Sequence, residues 1–99
     1  MGALKQIREN IGEIKRMYIR PAYRGKGYGK ALLDKLLQKV KEFGYHSVYL
    51  DSPPFLMIAH HLYHSNGFID REEYPETEVP QQLRPKWLFM EKTLKETTL

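Results

Sequence analysis

Apolar positions along the chain fall into short β-type runs and two helical stripes. Met1 to Gln6 is short and mildly apolar, and Arg8, Glu9, Asn10, Ile11 and Gly12 carry turn character. Glu13 to Ile19 reads as a strand with Ile14, Met17, Tyr18 and Ile19 as its apolar members, so the two runs predict a hairpin. Alternation is imperfect at Met17 and Tyr18, which reads as a bulge, and Pro21 ends the strand. Leu32, Leu33, Leu36, Leu37, Val40 and Phe43 then recur at helical spacing, with Lys35, Gln38, Lys39, Lys41 and Glu42 opposite. That stripe predicts a helix from Ala31 to Phe43, packed through its leucines and capped at Gly44.

Ser47 to Leu50 is a second β-type run. Strand, helix and strand in that order predict a right-handed crossover with the two strands parallel. Pro53 and Pro54 break the chain, and residues 55–65 predict a shorter helix with Phe55, Ile58, Ala59 and Leu62 on one face. Asn66 and Gly67 close it, Phe68 and Ile69 open another strand, and Asp70 to Arg84 reads as a long polar loop. Lys86 to Leu94 alternates as a final strand, and 95–99 is a polar tail. The fold class expected is α+β with a mixed sheet of α/β type, in one domain over residues 1–94.

Between the first strand and the long helix lies Arg20-Pro21-Ala22-Tyr23-Arg24-Gly25-Lys26-Gly27-Tyr28-Gly29-Lys30. Glycines let backbone N–H groups turn toward one point without Cβ interference. A helix starting there adds its first N–H groups and the positive end of its dipole. The stretch reads as a socket for a phosphate or pyrophosphate. Ligands on such crossover units lie at the carboxyl ends of the strands, where this loop falls.

Composition narrows the partners. The chain has 99 residues, 41% hydrophobic and 28% charged, with a net charge of +4. The positive balance favours an anionic partner, either nucleic acid or a polyphosphorylated cofactor. Nucleic acid fits less well, because the 16 basic residues are interleaved with 12 acidic ones and no nucleic-acid motif is present. There are no cysteines, so a thiol nucleophile and a thiolate metal site are excluded. A cytoplasmic protein is expected, without a membrane span or a signal peptide. His60 and His64 stand four apart on a predicted helix, yet no Asp, Glu or Cys nearby has ligand spacing. No metal site is expected, and these histidines read as solvated or packing residues.

The loop fails the dinucleotide fingerprint, since Lys30 and Leu32 stand where the third glycine would be. It fails the P-loop pattern at Arg24 and at Ala31, which has no hydroxyl for magnesium. It fits [RQ]-x-x-G-x-[GA] as Arg24, Gly27 and Gly29. The run from Glu13 through that loop to Leu33 resembles the acetyl-CoA-binding signature of the GNAT superfamily of N-acetyltransferases. Ala59, Leu62, Tyr63, Gly67 and Phe68 resemble its A-x-x-L-Y-x-x-x-G-F segment, and Met90-Glu91-Lys92 resembles its last core strand.

The resemblance implies a GNAT-like acyl-CoA N-acyltransferase fold lacking the strand and helices that usually precede the segment at Gly2. It implies acetyl-CoA as cofactor and a small-molecule or peptide amine as acceptor. Arg24, Gly25, Lys26, Gly27, Tyr28, Gly29 and Lys30 match the pyrophosphate socket. Met17, Tyr18 and Ile19 match the strand backbone that pairs with the pantetheine arm. Tyr63 matches the general acid that protonates the CoA thiolate, and it also reads as a packing tyrosine. Glu13 matches a strand glutamate that is the general base in some members, and it also reads as an exposed strand carboxylate. Leu56 stands where an asparagine is common. With the preceding elements missing, the chain reads as a fragment, as a domain that a second copy covers, or as one with an open acceptor surface, and exposed sheet surface favours a homo-oligomer. A non-catalytic acyl-CoA-binding module is the alternative to an N-acetyltransferase acting by direct attack of the amine.

Overall fold

The computed structural model describes residues 3–15 and 27–94. Two helices and five strands follow in the order β1 (Ala3–Arg8), β2 (Ile11–Lys15), α1 (Tyr28–Glu42), β3 (Ser47–Ser52), α2 (Met57–Ser65), β4 (Ile69–Arg71) and β5 (Leu88–Thr93). The strands form one mixed sheet in the order β1-β2-β3-β5-β4. The hairpin expected from the first two runs is present. Its turn is Glu9-Asn10, with Asn10 at φ 67, and the register shifts between Gln6 and Arg8. The second strand therefore begins at Ile11 rather than Glu13, because Ile11 and Gly12 already pair with Arg8 and Gln6. The bulge expected at Met17 and Tyr18 lies outside the described residues.

β2 and β3 are parallel, with Glu13 opposite Tyr49 and Ile14 opposite Leu50. The crossover between them is α1, which buries Leu33, Leu36 and Val40. Phe43 does not join them and is exposed, since it falls past the last helical turn. The helix ends where Gly44, at φ 75, lets Tyr45 N–H donate to Val40 O at 3.1 Å and Gly44 N–H donate to Lys41 O at 3.0 Å. The same arrangement closes α2. There Gly67 is at φ 91, Phe68 N–H donates to Tyr63 O, and Gly67 N–H donates to His64 O.

The second helix starts at Met57, not Phe55, because Pro53 and Pro54 hold the chain in a turn first. Its inward face keeps half of the one expected. Ala59 and Leu62 pack against the core, joined by the buried His60 and Tyr63, while Phe55 and Ile58 are exposed. On the helix side of the sheet, Ile14, Val48, Leu50 and Met90 pack against Leu33, Leu36, Val40, Tyr63 and Phe68.

The opposite face carries its own cluster of Tyr49, Tyr74, Val79 and Phe89. Tyr74 comes from the segment expected to be a polar loop. It is fully buried, and its ring lies 5.2 Å from Tyr49 and 5.6 Å from Phe89. Arg84 fastens this segment by donating from Nε to Val79 O at 2.9 Å and from Nη1 to Glu73 Oε2 at 3.2 Å. The loop is thus a second layer over the sheet. Its hydrophilic spacing hides this from a periodicity reading, because the residues it buries lie singly between turns. No helix among the described residues is long and apolar enough to cross a membrane.

Candidate active site

Parallel pairing brings the carboxyl ends of β2 and β3 side by side, next to the start of α1 and the inner face of α2. Gly27 is the N-cap of α1 at φ 79, and no side chain caps this end. A Cβ built at Gly27 would meet nothing within 4 Å. The first turn of α1 holds no acidic residue. An anion can therefore approach the amide end of α1 without steric or charge opposition from the described residues. Ala31 N–H already donates to Gly27 O at 3.1 Å, so the helix is formed from its first turn. Gly29 is half-buried, and Tyr28 and Lys30 are exposed beside it. Lys30 Nζ reaches Asp34 and Asn66 Oδ1, each at 3.2 Å, and so ties α1 to the end of α2. Arg24, Gly25 and Lys26, and Met17, Tyr18 and Ile19, lie outside the described residues.

Tyr63 is 5% exposed, against Phe68 at 5.7 Å between ring centroids. Burial, reinforced by the negative charge of Asp51, pushes its phenol up to about 12.

Glu13 is not an exposed strand carboxylate. It is 1% exposed, under the loop layer on the face away from the helices. Tyr74 Oη donates to Glu13 Oε2 at 2.5 Å. Glu13 Oε1 is buried without a hydrogen-bond partner, and the Lys15 ammonium stands 3.5 Å from it. Lys15 also pairs with Glu78. Burial works to lower the Lys15 ammonium, yet Glu78 and Glu13 together hold it above the usual lysine range.

The same Tyr74 hydroxyl lies 3.3 Å from Asp51 Oδ2, which also accepts from Thr77 Oγ1 at 2.9 Å. Burial first, then the bond to Glu13 and the charge of Asp51, raise the Tyr74 phenol far above the ordinary tyrosine range. Sequence reasoning missed Asp51, Tyr74 and Thr77. For Asp51 a signal existed, since it closes the strand expected to point at the site. Nothing in the spacing of Tyr74 or Thr77 marks them.

The histidines part company. His60 Nε2 sits 2.9 Å from Ser52 Oγ, both residues buried. His64 is exposed and lies 2.8 Å from Asp70. No metal-holding cluster of His, Cys, Asp and Glu occurs among the described residues.

The sequence model of the acetyltransferase (GNAT) family matches residues 1–68. An uncharacterised N-acetyltransferase of Schizosaccharomyces pombe is 38% identical over 68 residues, which is 69% of this chain and 42% of that protein. A Klebsiella pneumoniae structure described as an acyl-CoA N-acyltransferase superposes with a TM-score of 0.84 at 33% identity, covering 95% of this chain and 62% of that one. The PaiA N-acetyltransferase of Thermoplasma acidophilum, solved in complex with coenzyme A, gives 0.73 at 26% identity, covering 92% of this chain and 50% of that one. The chain thus spans 42% to 62% of the length of these proteins.

Proposed function

The chain belongs to the acetyltransferase (GNAT) family and has the acyl-CoA N-acyltransferase fold, and from that premise we propose that it transfers acetyl from acetyl-CoA to a primary amine by direct attack. The observation that carries this reading is the uncapped start of α1 at Gly27, tied by Lys30 and Asn66 to the end of α2, the helix that buries Tyr63. The amide end of α1, with Gly27, Tyr28, Gly29 and Lys30, would hold the coenzyme diphosphate. Arg24, Gly25 and Lys26 would complete that socket, and the backbone of Met17, Tyr18 and Ile19 would take the pantetheine arm.

Bound acetyl-CoA supplies an acyl carbon that an unprotonated amine can attack, with a thiolate as leaving group. Tyr63 keeps a proton on its phenol oxygen at neutral pH and would give it up to that sulfur. Glu13 would accept the proton lost by the amine.

A module that binds acyl-CoA without turnover is favoured by one observation, the burial of Glu13 to 1% exposure. Acetyl-CoA binding followed by calorimetry, beside acetylation of an amine panel, separates the two. Binding with no product from any amine would establish the module. Gly27→Val should abolish coenzyme binding, and unchanged affinity would overturn the socket. A cytoplasmic, self-associating protein belongs to the same reading. Phe43, Phe55, Met57 and Ile58 are exposed apolar residues that a second copy would cover, and solution mass by light scattering checks this.

A further inference from the structure

A cavity of about 310 Å³ opens on the loop-covered side of the sheet, lined by Ile14, Lys15, Asp51, Glu78, Val79, Pro80 and Trp87. It is at the small end of the range for ligand clefts, about 300–1,000 Å³. Its walls divide by chemistry. Val79, Pro80 and Trp87 form an apolar side, and Asp51 and Glu78 supply carboxylates. The buried Glu13 carboxylate stands behind Lys15. Asp51, Glu78 and Glu13 are thus set against two ammoniums, Lys15, which pairs with Glu13 and Glu78, and Lys5, 3.6 Å from Glu78, so carboxylates remain in excess. An anionic ligand would meet excess negative charge, whereas a cation would complete the balance.

Asp51 is built to receive that cation. Thr77 donates to its Oδ2 at 2.9 Å, the Tyr74 hydroxyl 3.3 Å away has its proton on Glu13, and no hydrogen bond reaches Oδ1 among the described residues. The Thr77 bond holds the carboxylate by one oxygen and leaves Oδ1 as its open acceptor. Asp51 precedes Ser52, whose hydroxyl lies 2.9 Å from His60 on α2, the helix that carries Tyr63. A ligand held on Asp51 is thereby held at the end of β3 against which α2 packs, the helix of the group assigned to the leaving thiolate.

We propose that this cavity is the acceptor subsite, that Asp51 anchors the ammonium, and that the acceptor is a primary amine on a small apolar body packed against Trp87, Val79 and Pro80. This rests on the acetyl-transfer reading for its purpose, but the binding can be tested without the coenzyme. An ammonium over the Trp87 ring gains further from the ring's negative face. Acidic amines such as amino dicarboxylates are excluded by the same charges.

Trp87 is the chain's single tryptophan, so its fluorescence reports the cavity directly. The unaltered protein is titrated with phenethylamine, phenethyl alcohol, 3-phenylpropionate and methylamine. Phenethylamine should bind saturably and at least tenfold more tightly than each of the other three. Equal affinity for the amine and the carboxylate would overturn the charge assignment. Equal affinity for methylamine would overturn the apolar wall, and no saturable response to phenethylamine would overturn the site. Asp51→Asn should weaken phenethylamine at least tenfold, with its far-ultraviolet circular dichroism and acetyl-CoA affinity unchanged. A folded Asp51→Asn variant with unaltered amine affinity would also refute the anchor. Acetyl-CoA affinity is measured in parallel. Coenzyme binding without amine binding refutes the subsite alone, and amine binding without coenzyme binding refutes the transferase reading alone.

Discussion

The Tyr74 hydroxyl meets the Glu13 carboxylate at 2.5 Å across 61 residues of sequence, joining the loop layer to the second strand of the sheet. Both side chains are buried to 1% exposure or less. Removing only the donor leaves a carboxylate in a site that water does not reach. A buried group stranded in this way costs about 1–3 kcal/mol, and more when charged. Tyr74→Phe should therefore lower the unfolding free energy by about 3 kcal/mol in urea titrations. Tyr74→Phe combined with Glu13→Leu should recover most of that loss, because an apolar pair leaves nothing unpartnered. A double variant no more stable than Tyr74→Phe alone would show that the bond is not what fastens the loop.

The parallel β2–β3 pair, the α1 stripe and both glycine-closed helix ends are legible in the sequence, because each rests on local periodicity or on a single residue's backbone freedom. Leu33, Leu36 and Val40 announce their face by spacing alone. Tyr63 is legible only through resemblance, since as an isolated tyrosine beside Leu62 it reads equally as packing. The Glu13, Tyr74, Asp51 and Thr77 network is not legible. Its members come from two strands and a loop, and no period links residues 61 and 26 positions apart. The inward face of α2 is legible only in part, at Ala59 and Leu62, for a related reason. Apolar character at Phe55 and Ile58 signals burial in a pattern, but the turn at Pro53 and Pro54 sets where the helix begins and hence which side faces in.

Tyr63 makes an alkaline prediction and a kinetic one. Its phenol stands at about 12 in the folded protein against 10.0 when unperturbed. A raised acid favours the folded state in its neutral form. The contribution is complete below pH 10 and is lost as pH rises from 10 to 12. At about 1.4 kcal/mol per pH unit, this amounts to roughly 3 kcal/mol. Tyr63→Phe should flatten the fall in stability across that window, as followed by denaturant midpoints at each pH. If the protein turns over, the same variant should lower kcat about a hundredfold with little change in acetyl-CoA affinity. An unchanged kcat would assign Tyr63 to packing alone.

His60 makes the opposite, acidic prediction. Burial, opposed by a bond to the Pro53 carbonyl and by the charge of Asp70 and helped by neighbouring His64, holds its imidazole below the usual 6.5. A base whose folded value is lowered favours the folded state in its neutral form. That contribution is present above pH 6.5 and disappears as pH falls through the lowered value. The Ser52 hydroxyl at 2.9 Å suits the neutral ring, donating to Nε2. Stability should therefore drop as pH falls below 6.5, and His60→Gln should be less stable at pH 7.5 yet lose less on acidification. Parallel urea curves for the two proteins across this range would remove His60 from the acid response.

Gly12 and Gly27 separate two reasons for glycine, and substitution should separate them by measurement. Gly12 lies in β2, and a Cβ there would sit 2.8 Å from Tyr45 Cδ2 and 3.0 Å from Leu4 Cδ1. Gly12→Ala should cost about 1–3 kcal/mol through overpacking. Gly12→Ala with Tyr45→Ala should return part of it. Gly27 has open space around its missing Cβ but a φ of 79. Gly27→Ala should cost only the left-handed backbone, about 1–2 kcal/mol, with no partner variant able to relieve it. Thermal melts distinguish the two by rescue. If Gly27→Ala melts close to the unaltered protein yet loses acetyl-CoA affinity in calorimetry, the glycine serves the approach of a ligand to the α1 amides. If Gly12→Ala shows the same loss of affinity, the effect belongs to the sheet, and the α1 terminus is not where the coenzyme binds.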